Sequence, residues 1–202
     1  MKHSATGILK SLPPLVQSIL FYRRTPPYHP RFPSYSRKDP LIKLAGGAIR
    51  DILQGDAVKD YDIWVNCPYL YSELRNLLKE YPQIQEANLS YCSDRNSVSS
   101  YDCGDFGVDI ILYNTSELAL IETFDYPLNC HELFLEVDGD GGFTLTLNSH
   151  PQWDVADQFH LRSVEWLSFG LSGGSSYNPP ERDVLRQKYL SDKFPQYNFH
   201  LY

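Results

Sequence analysis

Gly46 and Gly47 set the strongest constraint on what this chain can fold into. The apolar run from Leu41 to Ala45 predicts a buried strand that enters the pair. A glycine has no Cβ, so the backbone there can turn sharply and a bulky anion can come close. From about Ala48 to Gln54 the chain predicts a short helix, with Ile49, Ile52 and Leu53 at core spacing. The free N–H groups and positive dipole end of that helix would face an anion at the turn. Gly55 stands where a helix stop is expected. Asp60-Tyr61-Asp62-Ile63-Trp64-Val65 follows, and its aromatic and β-branched residues predict a strand. Residues two apart on a strand share a face, so Asp60 and Asp62 point the same way.

Two like charges ~7 Å apart along a strand, at ~3.3 Å rise per residue, repel each other. A divalent cation removes that repulsion. Hard oxygen ligands from one or two carboxylates, completed by substrate phosphates, describe magnesium. Two such ions, roughly 3.5–4 Å apart, would stabilise the attacking and leaving oxygens of a phosphoryl-transfer step. A glycine-cradled anion beside carboxylate-held metal predicts a nucleoside triphosphate site.

At these residues the chain resembles a known family. Gly46, Gly47, Arg50, Asp51, Gly55, Asp60 and Asp62 match, in order and spacing, the head domain of the tRNA nucleotidyltransferase and bacterial poly(A) polymerase group. That group belongs to the DNA polymerase beta-like nucleotidyltransferase superfamily. An Asp-x-Asp alone would be weak, whereas the combination is specific. The resemblance implies an α+β fold: a nucleotidyltransferase-type mixed sheet with helices packed on one face, followed by a short C-terminal helical appendage. It implies that the triphosphate lies on Gly46 and Gly47, with Arg50 and Lys43 countering its charge, and that Asp60 and Asp62 hold Mg²⁺. Asp51 is read as a residue that pins its helix by a salt bridge or cap. The superfamily carries a third carboxylate on a neighbouring strand. Asp109, in the apolar run Phe106–Tyr113, is the candidate by position, with Asp102 and Asp105 as fallbacks. The plainer alternative for Asp109 is pairing with a Lys or Arg, since a lone buried acid is costly.

A second signature of the resembled family is an Asp followed four residues later by Asn and then an apolar strand. Asp125 and Asn129 fit it, and by resemblance they would contact the ribose or order the nucleotide pocket. A helix N-cap and a turn Asn are the alternative. The chain departs from the pattern just before: Ile121-Glu122-Thr123-Phe124 stands where the relatives carry two arginines. That departure puts substrate choice in question.

Elsewhere, helices are expected over Ser72–Tyr81, Ser116–Thr123, Asp154–Leu167 and Glu181–Leu190. A short strand is expected over Ile84–Leu89, a loop or hairpin over 90–105, and a hairpin from Leu133 to Leu147 around Asp138-Gly139-Asp140-Gly141-Gly142. That acidic run lacks the terminal Glu of a calcium loop and reads as a turn. The domain reading is 1–40 as a proline-rich basic arm, 41–150 as the catalytic domain and 151–202 as a helical, neck-like appendage. Seven of the fourteen prolines fall in residues 1–40, leaving room for a short helix after Pro13-Pro14.

Charge divides the same way. Residues 1–43 hold eight Lys/Arg against Asp39, giving +7 there and −14 beyond, for −7 overall. An acidic body argues against a broad nucleic-acid surface, while the basic arm could reach phosphates of an RNA acceptor. Hydrophobic residues make up 42% of the 202, enough for a core. No run of 18 apolar residues suggests a membrane span. Cys67, Cys92, Cys103 and Cys130 lack paired metal spacing and predict reduced thiols in a cytoplasmic compartment.

These readings converge on an Mg²⁺-dependent nucleotidyltransferase with an NTP substrate and an RNA (tRNA) 3′ end as acceptor. Nucleotidylation of a protein or small molecule is the first rival. A non-catalytic nucleotide-binding module, suggested by the missing arginines, is the second.

Overall fold

The structure, a computed structural model, describes residues 4–22, 42–87, 97–113, 127–137, 142–149, 158–160 and 179–200. Two short helices come first, α1 (Ala5–Ser11) and α2 (Pro14–Leu20). Then follow β1 (Ile42–Ala45), α3 (Gly47–Gln54), β2 (Asp60–Val65) and α4 (Pro68–Lys79). Next come β3 (Gln85–Glu86), β4 (Ser97–Asp102), β5 (Gly107–Leu112), a 3₁₀ turn at Pro127–Asn129, β6 (His131–Val137) and β7 (Phe143–Ser149). β8 (Gln158–His160), α5 (Pro179–Lys193) and β9 (Asn198–His200) complete the order.

Seven strands make one mixed sheet in the order β3-β4-β5-β2-β1-β6-β7. β2 and β5 run parallel and the other described neighbours antiparallel. The fold class is α+β, as the sequence predicts. Alternation along the central strands decides which side is covered. Leu44 on β1, Tyr61, Ile63 and Val65 on β2, and Val108 and Ile110 on β5 are buried in one apolar cluster with the helices. Leu70, Tyr71, Leu74 and Leu78 of α4 and Ala48, Ile49 and Leu53 of α3 pack on that same side. The intervening residues Asp60, Asp62 and Trp64 therefore face the opposite side of the sheet.

Several expectations are corrected. The irregular arm does not describe residues 4–22, because Ile8, Leu12, Val16, Ile19 and Leu20 belong to the main core. Ser4 caps α1 through a bond from the Gly7 N–H at 3.1 Å, and Pro14 opens α2 at a position where its missing N–H costs nothing. Residues 23–41 lie outside the described residues. Helix α4 starts at Pro68 rather than Ser72, for the same reason of proline at a first turn. Within the helix expected over 154–167, residues 158–160 form strand β8 instead, which pairs in parallel with β9, Phe159 opposite Phe199, and the remainder lies outside the described residues. The 133–147 hairpin forms as β6–β7, with Leu133 opposite Leu147. The helix expected at 116–123 lies outside the described residues.

The placement of α2 makes a direct prediction. Ile19 is 1% exposed. Ile19→Ala should cost about 2–5 kcal/mol of unfolding free energy, as a buried large-to-small change does. Urea unfolding followed by circular dichroism checks it, and a loss below about 1 kcal/mol would place α2 outside the core.

Candidate active site

The side of the sheet away from the helices of the main core carries an acidic patch built by register. β2 lies beside β5 with Asp62 level with Asp109 and Asp60 level with Gly107. In a parallel pair, level residues share a face, so the three carboxylates stand on the side away from the helices. Burial, then the charges of Asp109 and Asp60, push the Asp62 carboxyl from its ordinary 3.8 to about 7, against opposing pulls from Arg186 and Arg50. Asp109 is also raised, by burial first and by Asp60 in part, while a hydrogen bond from Ser100 lowers it. Ser100 stands level with Asp109 on β4.

Gly107 is what makes room for Asp60. A Cβ at position 107 would collide with Asp60 Oδ1. Asp60 leans over Gly107 and Asp109 turns to Ser100, so the three side chains share a face without converging on one point. Among the described residues, no group of three or more His, Cys, Asp or Glu side chains is arranged to hold a metal ion. The donor chemistry nevertheless suits a hard cation: all-oxygen ligands, and a carboxyl at Asp62 whose ionisation is opposed by burial and by like charges.

The glycine turn lies at the end of β1, next to this face. Gly46 has φ 83° and ψ −136°, a backbone shape that only glycine takes without strain. Its N–H donates to the His131 carbonyl at 2.9 Å. No side chain caps the start of α3, so its first N–H groups have no side-chain acceptor at the cap. Gly55 ends the helix, as expected.

The two cations expected to counter polyphosphate already have anionic partners. Lys43 Nζ bonds Glu132 Oε2 at 2.9 Å and lies 4.9 Å from the Phe134 ring centre. Arg50 is 4% exposed. Its Nε donates to Asp51 Oδ1 at 2.7 Å and its Nη1 to Asn129 Oδ1 at 2.6 Å. Asn129 is thus brought to the glycine helix, while Asp125 lies outside the described residues.

Sequence reasoning missed Gly107, Arg186, Lys193 and Phe194. Lys193 Nζ bonds Asp51 Oδ2 at 2.7 Å, and the Arg50 guanidinium carbon lies 5.0 Å from the Phe194 ring centre. The signal for Gly107 was its position just before the Asp109 strand. No local signal tied α5 to residues more than a hundred positions earlier.

No protein-family model matches the sequence, and no curated protein sequence is significantly similar. Solved structures do match. A CCA-adding enzyme in complex with CTP superposes with a TM-score of 0.54 at 14% identity, covering 99% of this chain and 44% of that one. The chain has the nucleotidyltransferase fold. It therefore spans less than half the length of that enzyme. Weaker likenesses are an apo tRNA-processing enzyme (TM-score 0.49, 15% identity, 79% of this chain and 39% of that one) and a Thermotoga maritima CCA-adding enzyme complexed with tRNA (0.47, 13%, 80% and 35%). In this fold the acidic patch lies on the sheet side away from α3 and α4, with the glycine turn at the end of the neighbouring strand β1. Among the described residues, no helix is long and apolar enough to cross a membrane.

Proposed function

We propose that this chain is an Mg²⁺-dependent nucleotidyltransferase that moves a nucleoside monophosphate from an NTP to an acceptor hydroxyl, with a tRNA 3′ end as acceptor. The observation that carries this reading is the level pairing of Asp62 with Asp109, on the sheet side away from α3 and α4 and beside the Gly46–Gly47 turn. The likeness in fold to a CCA-adding enzyme supports it. Asp60, Asp62 and Asp109 are the residues that would hold the metal, two ions in all. Bound there, magnesium supplies charge neutralisation for the phosphates.

The protein's own groups do the rest. The Gly46–Gly47 turn and the α3 N–H groups receive the polyphosphate. Arg50, held by Asp51 and Asn129, stiffens that turn. Asp109 takes the proton of the attacking hydroxyl, a role its raised pKa suits. The hydroxyl oxygen attacks the α-phosphorus, the bond to the β-phosphate oxygen breaks, and pyrophosphate leaves. Asp125 and Asn129 order the ribose end of the pocket. Residues 41–150 form the catalytic domain, 151–202 its appendage, and the basic residues before Lys43 meet the RNA. The compartment is cytoplasmic.

One further reading is transfer to a protein or small molecule. Incubating the protein and Mg²⁺ with each α-labelled NTP, with tRNA or with cell lysate, separates the two. We expect label in the tRNA band. Label in a protein band would move the acceptor, and no label with any acceptor would end the enzyme reading.

A further inference from the structure

The C-terminal end of α5 meets α3 through a chain of polar groups. Lys193 donates to one oxygen of Asp51, while the other oxygen accepts from Arg50 Nε and lies 2.7 Å from Arg50 Nη2. Arg50 then donates to Asn129. Asp51 is 6% exposed and Asn129 1%. Phe194 lies against the guanidinium and is anchored in a second apolar cluster with Leu128, Leu190 and Phe199.

This chain ends on the glycine turn from two sides. A Cβ at Gly47 would stand 3.4 Å from Arg50 Nη2, so the guanidinium lies directly against the turn. Asn129 lies two residues before His131, whose carbonyl accepts the Gly46 N–H. Burying such a set of charges brings little net stability, because desolvation offsets attraction. What it does bring is a fixed geometry, since Lys193 Nζ, Arg50 Nε and Arg50 Nη1 each donate to a directed acceptor.

We propose that Lys193 is a positioning residue: by holding Asp51, and through it Arg50 and Asn129, it sets the Gly46–Gly47 turn in the shape that receives polyphosphate. The last turn of α5 thereby controls the glycine turn through a bond to Asp51, 142 residues away in sequence. The inference rests on the nucleotidyltransferase reading for its ligand, but not for the geometry of the turn.

The test uses the full chain, with Lys193→Gln and Lys193→Arg. Two quantities are measured: amide hydrogen exchange at Gly46 and Arg50 in the free protein, and calorimetric binding of each NTP with Mg²⁺. Lys193→Gln should speed exchange at both amides and weaken nucleotide binding about 10-fold, the scale of a modest coupling between sites. Lys193→Arg should restore both. Lys193→Met, which keeps the stem beside Phe194, replaces the Gln variant if that one unfolds. Unchanged exchange overturns the proposal. So does faster exchange with unchanged affinity, because the pair then only adds stability. If the unmutated protein binds no NTP, the nucleotidyltransferase reading falls, and the exchange data alone decide whether Lys193 sets the turn.

Discussion

Asp60→Asn and Asp62→Asn should each abolish nucleotide transfer, by on the order of 10³-fold or more, while leaving the fold intact. The size follows from what the carboxylates are asked to do. Several kcal/mol of charge stabilisation at the phosphates would be lost, and each 1.4 kcal/mol is about tenfold in rate. Asn keeps the shape and one acceptor oxygen, so packing is undisturbed. Neither residue lies in the helix-side core; both sit on the opposite face of β2. Label transfer with unchanged circular dichroism is the measurement. Full activity in either variant would remove the carboxylates from the chemistry. The conservative Asp60→Glu change should also fail, because the added methylene moves the oxygens past the point where Gly107 makes room for them.

Asp62→Asn should also make the protein more stable at pH 8, by on the order of 3 kcal/mol. The sign follows from proton binding. Unfolded, the carboxyl releases its proton near 3.8; folded, it holds it to about 7. Between those values the folded state binds more protons, so this group's contribution to stability is full below about pH 4 and lost as pH rises through 7. Above pH 7 the native protein carries the whole penalty of an ionised Asp62 that is buried and stands beside Asp109 and Asp60. Asn carries none of it. The advantage of the variant should therefore shrink steadily from pH 8 to pH 4. Added Mg²⁺ should stabilise the native protein at pH 8 and do little for the variant, and EDTA should reverse the gain. Urea unfolding at pH 5, 6.5 and 8 checks all of this. A variant less stable than the native chain at pH 8, with the same pH slope, would show that the carboxylates do not strain one another.

Local signals made the centre of the fold legible. β1, the glycine turn, α3 and β2 occupy consecutive residues, and each is dictated by its own pattern: an apolar run, a Gly pair, a helical period and a strand alternation. The Asp51 pin could be read for the same reason, since its partner Arg50 is the preceding residue. Features depending on distant residues were hidden. The many prolines of the first forty residues masked α1 and the packing of both N-terminal helices into the core. β8 is three residues long and exists by pairing with β9 some forty positions later. The partners of Lys43 and Arg50 are carboxylate and amide groups on β6 and at the preceding turn, which no spacing rule connects to the glycine strand. A cation beside a phosphate-binding motif invites a ligand role from sequence, whereas in the folded chain a neighbouring acid can claim it first.

The side-by-side alignment of β2 and β5 has a consequence for how the chain assembles. Because side chains alternate strictly along a strand, sliding either one by a single residue would carry its acids into the oily interior and eject its aliphatic groups. With Asp60, Asp62 and Asp109 involved, that mistake would bury ionised groups against Leu74 and Leu78 of α4, a heavy penalty. The acids thus act as alignment marks during folding. A leucine substituted for one of them would weaken that safeguard and admit mispaired forms that an asparagine would still reject.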